Sequence, residues 1–257
     1  MRITKAVQAA IESQAIDGYP SEVCGLILSV ERKQVYFPCV NTATTPSEHF
    51  RISAEAYAEA EDLGKVVAVV HSHPDYSPEP SEGDRVSCES SGLPWHIIEV
   101  RKQDDGSILA GEIFSFEPSG YRAPLIGRPF NHGSLDCYQL LVDYYDRELG
   151  IQLPQYERED LWWEKGQDLY LDHYKEAGFV QVDDLKQGDV IIMQVRAKVP
   201  NHAGIYLEDG ILTTEPEHYP APGSILHHLY GRDSRRDVWG GFWAEAHRLT
   251  LRHKDLI

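Results

Sequence analysis

Two histidines one residue apart, His71 and His73, close the β-branched run VVAVVHSH, and Ser81 and Asp84 follow at short range. On an extended segment residues i and i+2 face the same side, so both imidazoles can grip one ion. Pro74 and the segment DYSPEPSEGD break the strand. Ser81 then opens a helix in which Asp84, one turn in, can swing its carboxylate back toward the histidines. Two imidazoles and one carboxylate leave the fourth position of a tetrahedral zinc free for water, which marks a catalytic rather than a structural site. Glu22, just ahead of the apolar CGLIL, is the candidate base for that water, and the Ser81 hydroxyl is the candidate donor to an oxyanion. Taken singly these signals are weak: H-x-H is common, and S-x-x-D is also an acidic variant of a helix capping box.

Cys137 anchors a second set. It sits in the first turn of a helix expected over 135–150, where unpaired backbone N–H groups and the helix dipole favour a thiolate. Without a partner it would read as a small buried hydrophobe. A partner exists in His202, which opens the strand-like HAGIYL, so that a rigid sheet could present a base beside the helix terminus. Further on, SILHHL supplies His227 and His228. Adjacent strand residues face opposite sides, so only one of them can orient His202.

The elements that must hold these residues fall into two groups. Apolar spacing predicts a helix over 5–17, strands over 24–30 and 34–40, and a helix over 54–64 closed by Gly64. Strands follow in VVAVV, WHIIEV and SILAGEIFSF, an α/β pattern ending near residue 117. The next stretch, EPSGYRAPLIGRPFNHGS, is rich in proline and glycine and has no periodicity, which sets the boundary between domains 1–117 and 118–257. After the Cys137 helix the chain is mostly strand, in DVIIMQV, HAGIYL, SILHHL and HRLTLRH.

Composition narrows the partners. With 24 basic and 41 acidic residues among 257, the net charge is -17, which repels phosphate backbones and argues against nucleic acid. No segment has the length and continuous apolar character of a membrane span, and the first residues form a helical stripe rather than a signal peptide, so a soluble cytoplasmic product is expected. Cys24, Cys39, Cys88 and Cys137 are widely spaced with no C-x-x-C pair, so each is read singly, as core filler or nucleophile.

Together, Glu22, H-S-H-P at 71–74 and S-x-x-D at 81–84 resemble the JAMM (MPN+) metalloprotease family, whose pattern is a glutamate followed by H-x-H-x7-S-x2-D. The resemblance implies an α/β domain with a mixed sheet and flanking helices, zinc on His71, His73 and Asp84, Glu22 as general base, and isopeptide or peptide hydrolysis. LDCYQLLVDYY, GDVIIM, HAGIYL and ILHHLYGR resemble the NlpC/P60 cysteine peptidases. That implies a papain-like α+β core with Cys137 as nucleophile, His202 as base and His227 as orienting residue. One departure is the tyrosine that cellular members often place a short way before the cysteine: Leu125 and Ile126 occupy that region, and backbone N–H groups near Cys137 are left to serve the oxyanion. The fusion resembles the tail assembly protein K family of long-tailed bacteriophages. It implies synthesis in the host cytoplasm, phage tail tip proteins as partners, and cleavage of peptidoglycan stem peptides between D-glutamate and diaminopimelate, with the tail tip and host periplasm as further destinations. The alternatives are a protease that matures other tail proteins through its zinc site, and a non-catalytic assembly factor.

Overall fold

The structure, a computed structural model, describes residues 2–257 and contains two compact units, Met1–Tyr121 and Arg122–Ile257. In the first, α1 (Lys5–Gly18), β1 (Cys24–Val30), β2 (Lys33–Cys39), α2 (Ala54–Leu63), β3 (Lys65–Pro74), α3 (Glu82–Ser91), β4 (Trp95–Lys102) and β5 (Ile108–Phe116) follow in chain order. They build a mixed sheet of order β2-β1-β3-β4-β5, in which only the β3–β4 pair is parallel. β3 is central and covered on both faces, which is why it reads as an unbroken apolar run rather than an alternation. On one face Val7, Ile11 and Ala15 of α1 pack on Ile27, Val70 and Ile98. On the other, Ala60 of α2 and Cys88 of α3 meet Leu26, Leu28, Val69 and Trp95. Strand parity then continues Val69 into His71 and His73, so both imidazoles emerge on the α2 and α3 side. The Glu89 carboxylate accepts the backbone N–H groups of Ser119 (2.6 Å) and Tyr121 (2.9 Å), which ties the segment after β5 back to α3.

The second unit begins with a lead-in that is pinned rather than loose. Glu215 accepts the N–H groups of Leu125 and Ile126, and the fully buried Arg128 guanidinium bonds Asp143. A buried charge holds only when so paired. α4 (Cys137–Tyr144) runs on through a single π turn, Tyr145–Leu149, to a left-handed Gly150. After α5 (Leu169–His173) come β6 (Phe179–Gln181), β7 (Val190–Met193), β8 (His202–Leu207), β9 (Ser224–His227), β10 (Arg235–Val238), α6 (Gly241–Ala246) and β11 (His247–His253). The sheet order is β10-β9-β8-β7-β11-β6, antiparallel throughout. Leu140, Leu141 and Tyr144 of α4 bury against Ile205, Leu207 and Leu226 on one face, while Trp243 and Ala246 of α6 cover Ile191, Met193 and Ile225 on the other. β6 and β10, at the sheet's two edges, are strands that periodicity does not announce, the first being only three residues long and the second, RRDV, mostly charged. Among the described residues no helix is long and apolar enough to cross a membrane.

Candidate functional site

In the first unit three side chains converge. Nε2 of His71 and Nε2 of His73 lie 3.1 Å apart, and they approach the two oxygens of Asp84 at 3.2 and 3.5 Å. Their ligand atoms all fall within 4.8 Å of one another. Three electron-pair donors aimed at one point repel unless a proton or cation sits among them. A tetrahedral zinc with nitrogens at about 2.0–2.1 Å would space two imidazoles about 3.3 Å apart, so the donor set fits that ion. The supports are local. His73 Nδ1 meets the Ser77 carbonyl at 2.7 Å, which puts the ring proton there and frees Nε2. His71 stacks on Phe50 with ring centroids 4.5 Å apart and lies edge-on to Trp95.

Ser81 caps α3. Its hydroxyl donates to Asp84 Oδ2 at 2.7 Å, its N–H does so at 2.8 Å, and the Asp84 N–H returns to Ser81 Oγ at 3.1 Å. At rest the hydroxyl proton therefore serves the ligand carboxylate rather than an open oxyanion position. Although burial opposes ionisation, the neighbouring His71 and His73 and the bonds to Ser81 hold the Asp84 carboxyl well below the usual carboxylate range. His73 is raised: burial opposes its charge, but the Asp84 carboxylate and the Ser77 carbonyl outweigh that. Glu22 is buried beside this group, and burial lifts its carboxyl to about 7 against the opposing pull of both histidines. Its backbone is fixed by its own N–H to the Pro46 carbonyl (2.6 Å) and by the Asn41 amide on its carbonyl (2.9 Å).

In the second unit Cys137 is the first residue of α4, and Asp136 caps the helix by accepting the Gln139 N–H at 2.9 Å. Arg158 neutralises that buried cap, Nε to Oδ2 at 2.9 Å. Cys137 and His202 line one cavity of about 670 Å³, walled by Trp162, Tyr170 and Trp243. His202 Nε2 lies 3.1 Å from His227 Nδ1, and His227 Nε2 lies 3.1 Å from Asp237 Oδ2. His228 points elsewhere, against Phe130. Gly204, which pairs with His227 across β8 and β9, gives this ring room: a Cβ there would crowd the His227 Cβ at 3.1 Å. The Trp243 ring closes over both imidazoles, with centroids 4.3 Å from His227 and 5.9 Å from His202.

The thiol departs from the sequence expectation. Burial, reinforced by the Asp136 carboxylate, pushes it up to about 11, against the Tyr170 hydroxyl, the Ala203 N–H and Arg158. Desolvation thus outweighs the helix dipole, and the resting group is a neutral thiol. Burial also drives both His202 and His227 downward. Among the described residues no hydrogen bond joins Cys137 to His202; the sulphur instead meets Tyr170 Oη at 3.1 Å. Tyr170 and Asp237 are the two residues that sequence reasoning missed. Tyr170 arrives on α5 from the unpatterned connection after α4, while Asp237 carried one legible signal, the i, i+2 pair Arg235 and Asp237 on one face of a strand.

Similarity to known proteins follows the same division. Residues 4–110 match the family model of prokaryotic homologs of the JAB domain, and residues 127–252 match the NlpC/P60 family. The chain is 41% identical over 250 residues to the tail tip assembly protein K of Escherichia phage N15, covering 96% of this chain and 94% of that protein. It is 36% identical over 205 residues to the tail tip assembly protein K of Escherichia phage lambda, covering 79% and 89%. A JAB1/MPN domain protein from Archaeoglobus fulgidus aligns over 46% of this chain and 98% of its own at 23% identity and a TM-score of 0.25.

Proposed function

This chain belongs to the tail tip assembly protein K family, and from that premise we propose that it acts with phage tail tip proteins during assembly in the host and is a cysteine peptidase of the cell wall. Its substrate is a peptidoglycan stem peptide, cut between D-glutamate and diaminopimelate. The division of labour is by chain segment, with a zinc peptidase in 1–117 and a cysteine peptidase in 118–257. The observation that supports this most is Cys137, at the head of α4, on the wall of the same cavity as the His202 imidazole, which in turn is paired with His227.

The chemistry follows from these groups. His202 takes the thiol proton as the sulphur attacks the scissile carbonyl, and gives it to the leaving amine; water then releases the acyl group. A thiol pushed to about 11 and an imidazole held neutral leave the charge to be made only when substrate has entered and the two groups meet. Backbone N–H groups at the start of α4 serve the oxyanion.

In the first unit His71, His73 and Asp84 would hold a zinc, which when bound would supply a Lewis acid and an acidified water for peptide or isopeptide hydrolysis. Glu22 is the base, buried and raised toward neutrality so that it can take a proton and return it. The Ser81 hydroxyl keeps Asp84 turned toward the histidines at rest and is the group nearest to serve an oxyanion. The convergence of three ligands supports a hydrolytic role for this unit, and maturation of another tail protein is the second reading of that role.

Incubating full-length protein with purified muropeptides and reading the products by mass spectrometry tests the first reading. Cleavage that survives a chelator and stops on thiol alkylation is expected; no cleavage, or cleavage that a chelator stops, overturns it. Coexpression of tail proteins with wild type or His71→Ala tests the second: processing lost in the variant supports it, and unchanged processing rejects it.

A further inference from the structure

The second unit holds more of a relay than a cysteine and two histidines. His202 on β8, His227 on β9 and Asp237 on β10 stand on one face of three neighbouring strands, and two contacts of 3.1 Å link them in series. Asp237 in turn is gripped by Arg235, Nη2 to Oδ2 at 2.8 Å and Nε at 3.2 Å. Register accounts for the geometry. Arg235 pairs directly with His227, so Asp237, two residues on, reaches the same ring diagonally from the edge strand.

We propose that Asp237 is a positioning residue that fixes the protons of both imidazoles, and so assigns Nδ1 of His202 as the atom that takes the Cys137 proton. The proposal rests on the reading of Cys137 and His202 above, and its steps are those of hydrogen-bond inventory. An ionised carboxylate only accepts, so His227 must carry its proton on Nε2. The Nδ1 of a neutral His227 is then a lone pair, and His202 must place its own proton on Nε2 to bond it. That leaves the lone pair of His202 on Nδ1, the ring nitrogen without a protein partner among the described residues. When the thiol proton moves to Nδ1, the resulting imidazolium keeps its Nε2–H on His227, which keeps its Nε2–H on Asp237, and no other proton moves.

Two features support the premises. Although burial favours its neutral form, the Arg235 and His227 bonds hold Asp237 below the usual carboxylate range, and burial keeps His227 neutral. Trp243 lies against both imidazoles, and the two rings are buried, which leaves little room for water as an alternative acceptor. Removing the acceptor would let His227 carry its proton on Nδ1 and donate to His202. His202 would then hold its proton on Nδ1 and present no lone pair to the thiol.

The test uses full-length protein labelled with 15N-histidine, with the 12 imidazoles distinguished by single His→Gln variants. Long-range proton–nitrogen spectra of the unliganded protein give each tautomer directly. In wild type both His202 and His227 should show a single form, protonated at Nε2. Asp237→Leu, which fills the same space on a partly exposed edge strand without an acceptor, should give a mixture at both rings and slow stem-peptide hydrolysis by about 10- to 100-fold. That is less than the roughly 10⁴-fold seen where an orienting carboxylate touches the base directly. Asp237→Glu should restore the single form. Tautomers unchanged in Asp237→Leu, or a wild-type His227 protonated at Nδ1, overturn the proposal. Because the spectra need no substrate, a wild type that cleaves no stem peptide rejects the functional reading while leaving this readout intact.

Discussion

Both units bring two imidazole nitrogens to 3.1 Å, and the same distance serves opposite ends. In the first, His71 and His73 aim at a common point with a carboxylate between them, so their lone pairs add. In the second, His202 and His227 are in series, each ring spending one nitrogen on the next, and the chain ends on Asp237. A converging pair calls for a cation, and a serial pair satisfies itself with protons. What decides between them is parity and neighbours: residues i and i+2 of one strand converge, whereas residues from adjacent strands across a glycine can line up.

The largest effect should come from crossing the two sites. Cys137→Ala should cut stem-peptide turnover by about 10⁴-fold or more, the loss typical of removing a nucleophile, while leaving bound zinc at the wild-type level. Metal analysis beside the turnover assay checks both halves. A variant that lost metal would mean that the converging site depends on the serial one.

Next is the reverse crossing. Asp84→Ala removes one of three ligands and the charge that balances the cation, so zinc affinity should fall by well over about 100-fold, more than a supporting residue would cost. Iodoacetamide reactivity of Cys137 should stay unchanged. Glu22→Gln should keep the metal, because Glu22 lies outside the converging donors, and lose only the hydrolytic step. Competition with a chromogenic chelator measures the metal affinity of both variants, and a Glu22→Gln protein without zinc would place Glu22 among the ligands.

How much of this contrast was legible follows from how each residue is held. His71, His73, Ser81 and Asp84 lie within 14 positions on one strand end and one capped helix, where spacing alone dictates geometry. Cys137 and His202 are announced by the helix and strand that they open. The end of the relay behind them is set by long-range pairing: Asp237 meets His227 only because β10 docks in one register, and its strand, RRDV, has the polar composition of an edge rather than an alternating pattern. The energetic state of the thiol was also beyond local reasoning, since helix position favours ionisation and only the assembled cavity shows that burial wins.

A smaller effect separates the units under acid. His96 of the first is fully buried with Nδ1 on Ser115 Oγ at 2.7 Å, and His228 of the second is fully buried too; burial pushes each down to about 4. A histidine depressed in the folded state contributes stability above its unfolded value near 6.5, lost as pH falls toward 4. At pH 5 each should therefore cost about 2 kcal/mol relative to neutral pH. In the first unit Glu22, raised to about 7, gains stability over the same descent and opposes this loss, so in urea unfolding at both pH values the His96 share should appear as the difference between wild type and His96→Gln, in the first unit alone. An acid limb equally steep in that variant would mean that other groups govern the first unit's acid response.

The smallest effect falls on a side chain that touches the nucleophile without belonging to the relay. Tyr170 places its hydroxyl 3.1 Å from the Cys137 sulphur, and of the neighbours that favour the thiolate it is the one whose hydrogen can be deleted with the least disturbance. Tyr170→Phe keeps the ring against Trp162 and removes that hydrogen bond. A hydrogen bond to a charged group is worth about 1.5–3 kcal/mol, but cavity water can replace part of it, so the net change should be about 1 kcal/mol. The pH profile of Cys137 alkylation should then move upward, slowing the reaction at pH 8 by about 5-fold. The shift belongs to the thiol alone, so zinc content and the tautomers of His202 and His227 should be untouched. If the profile of Tyr170→Phe instead moves downward, the phenol is an acceptor from the thiol at rest and holds it back, and the serial site is restrained by Tyr170 rather than assisted by it.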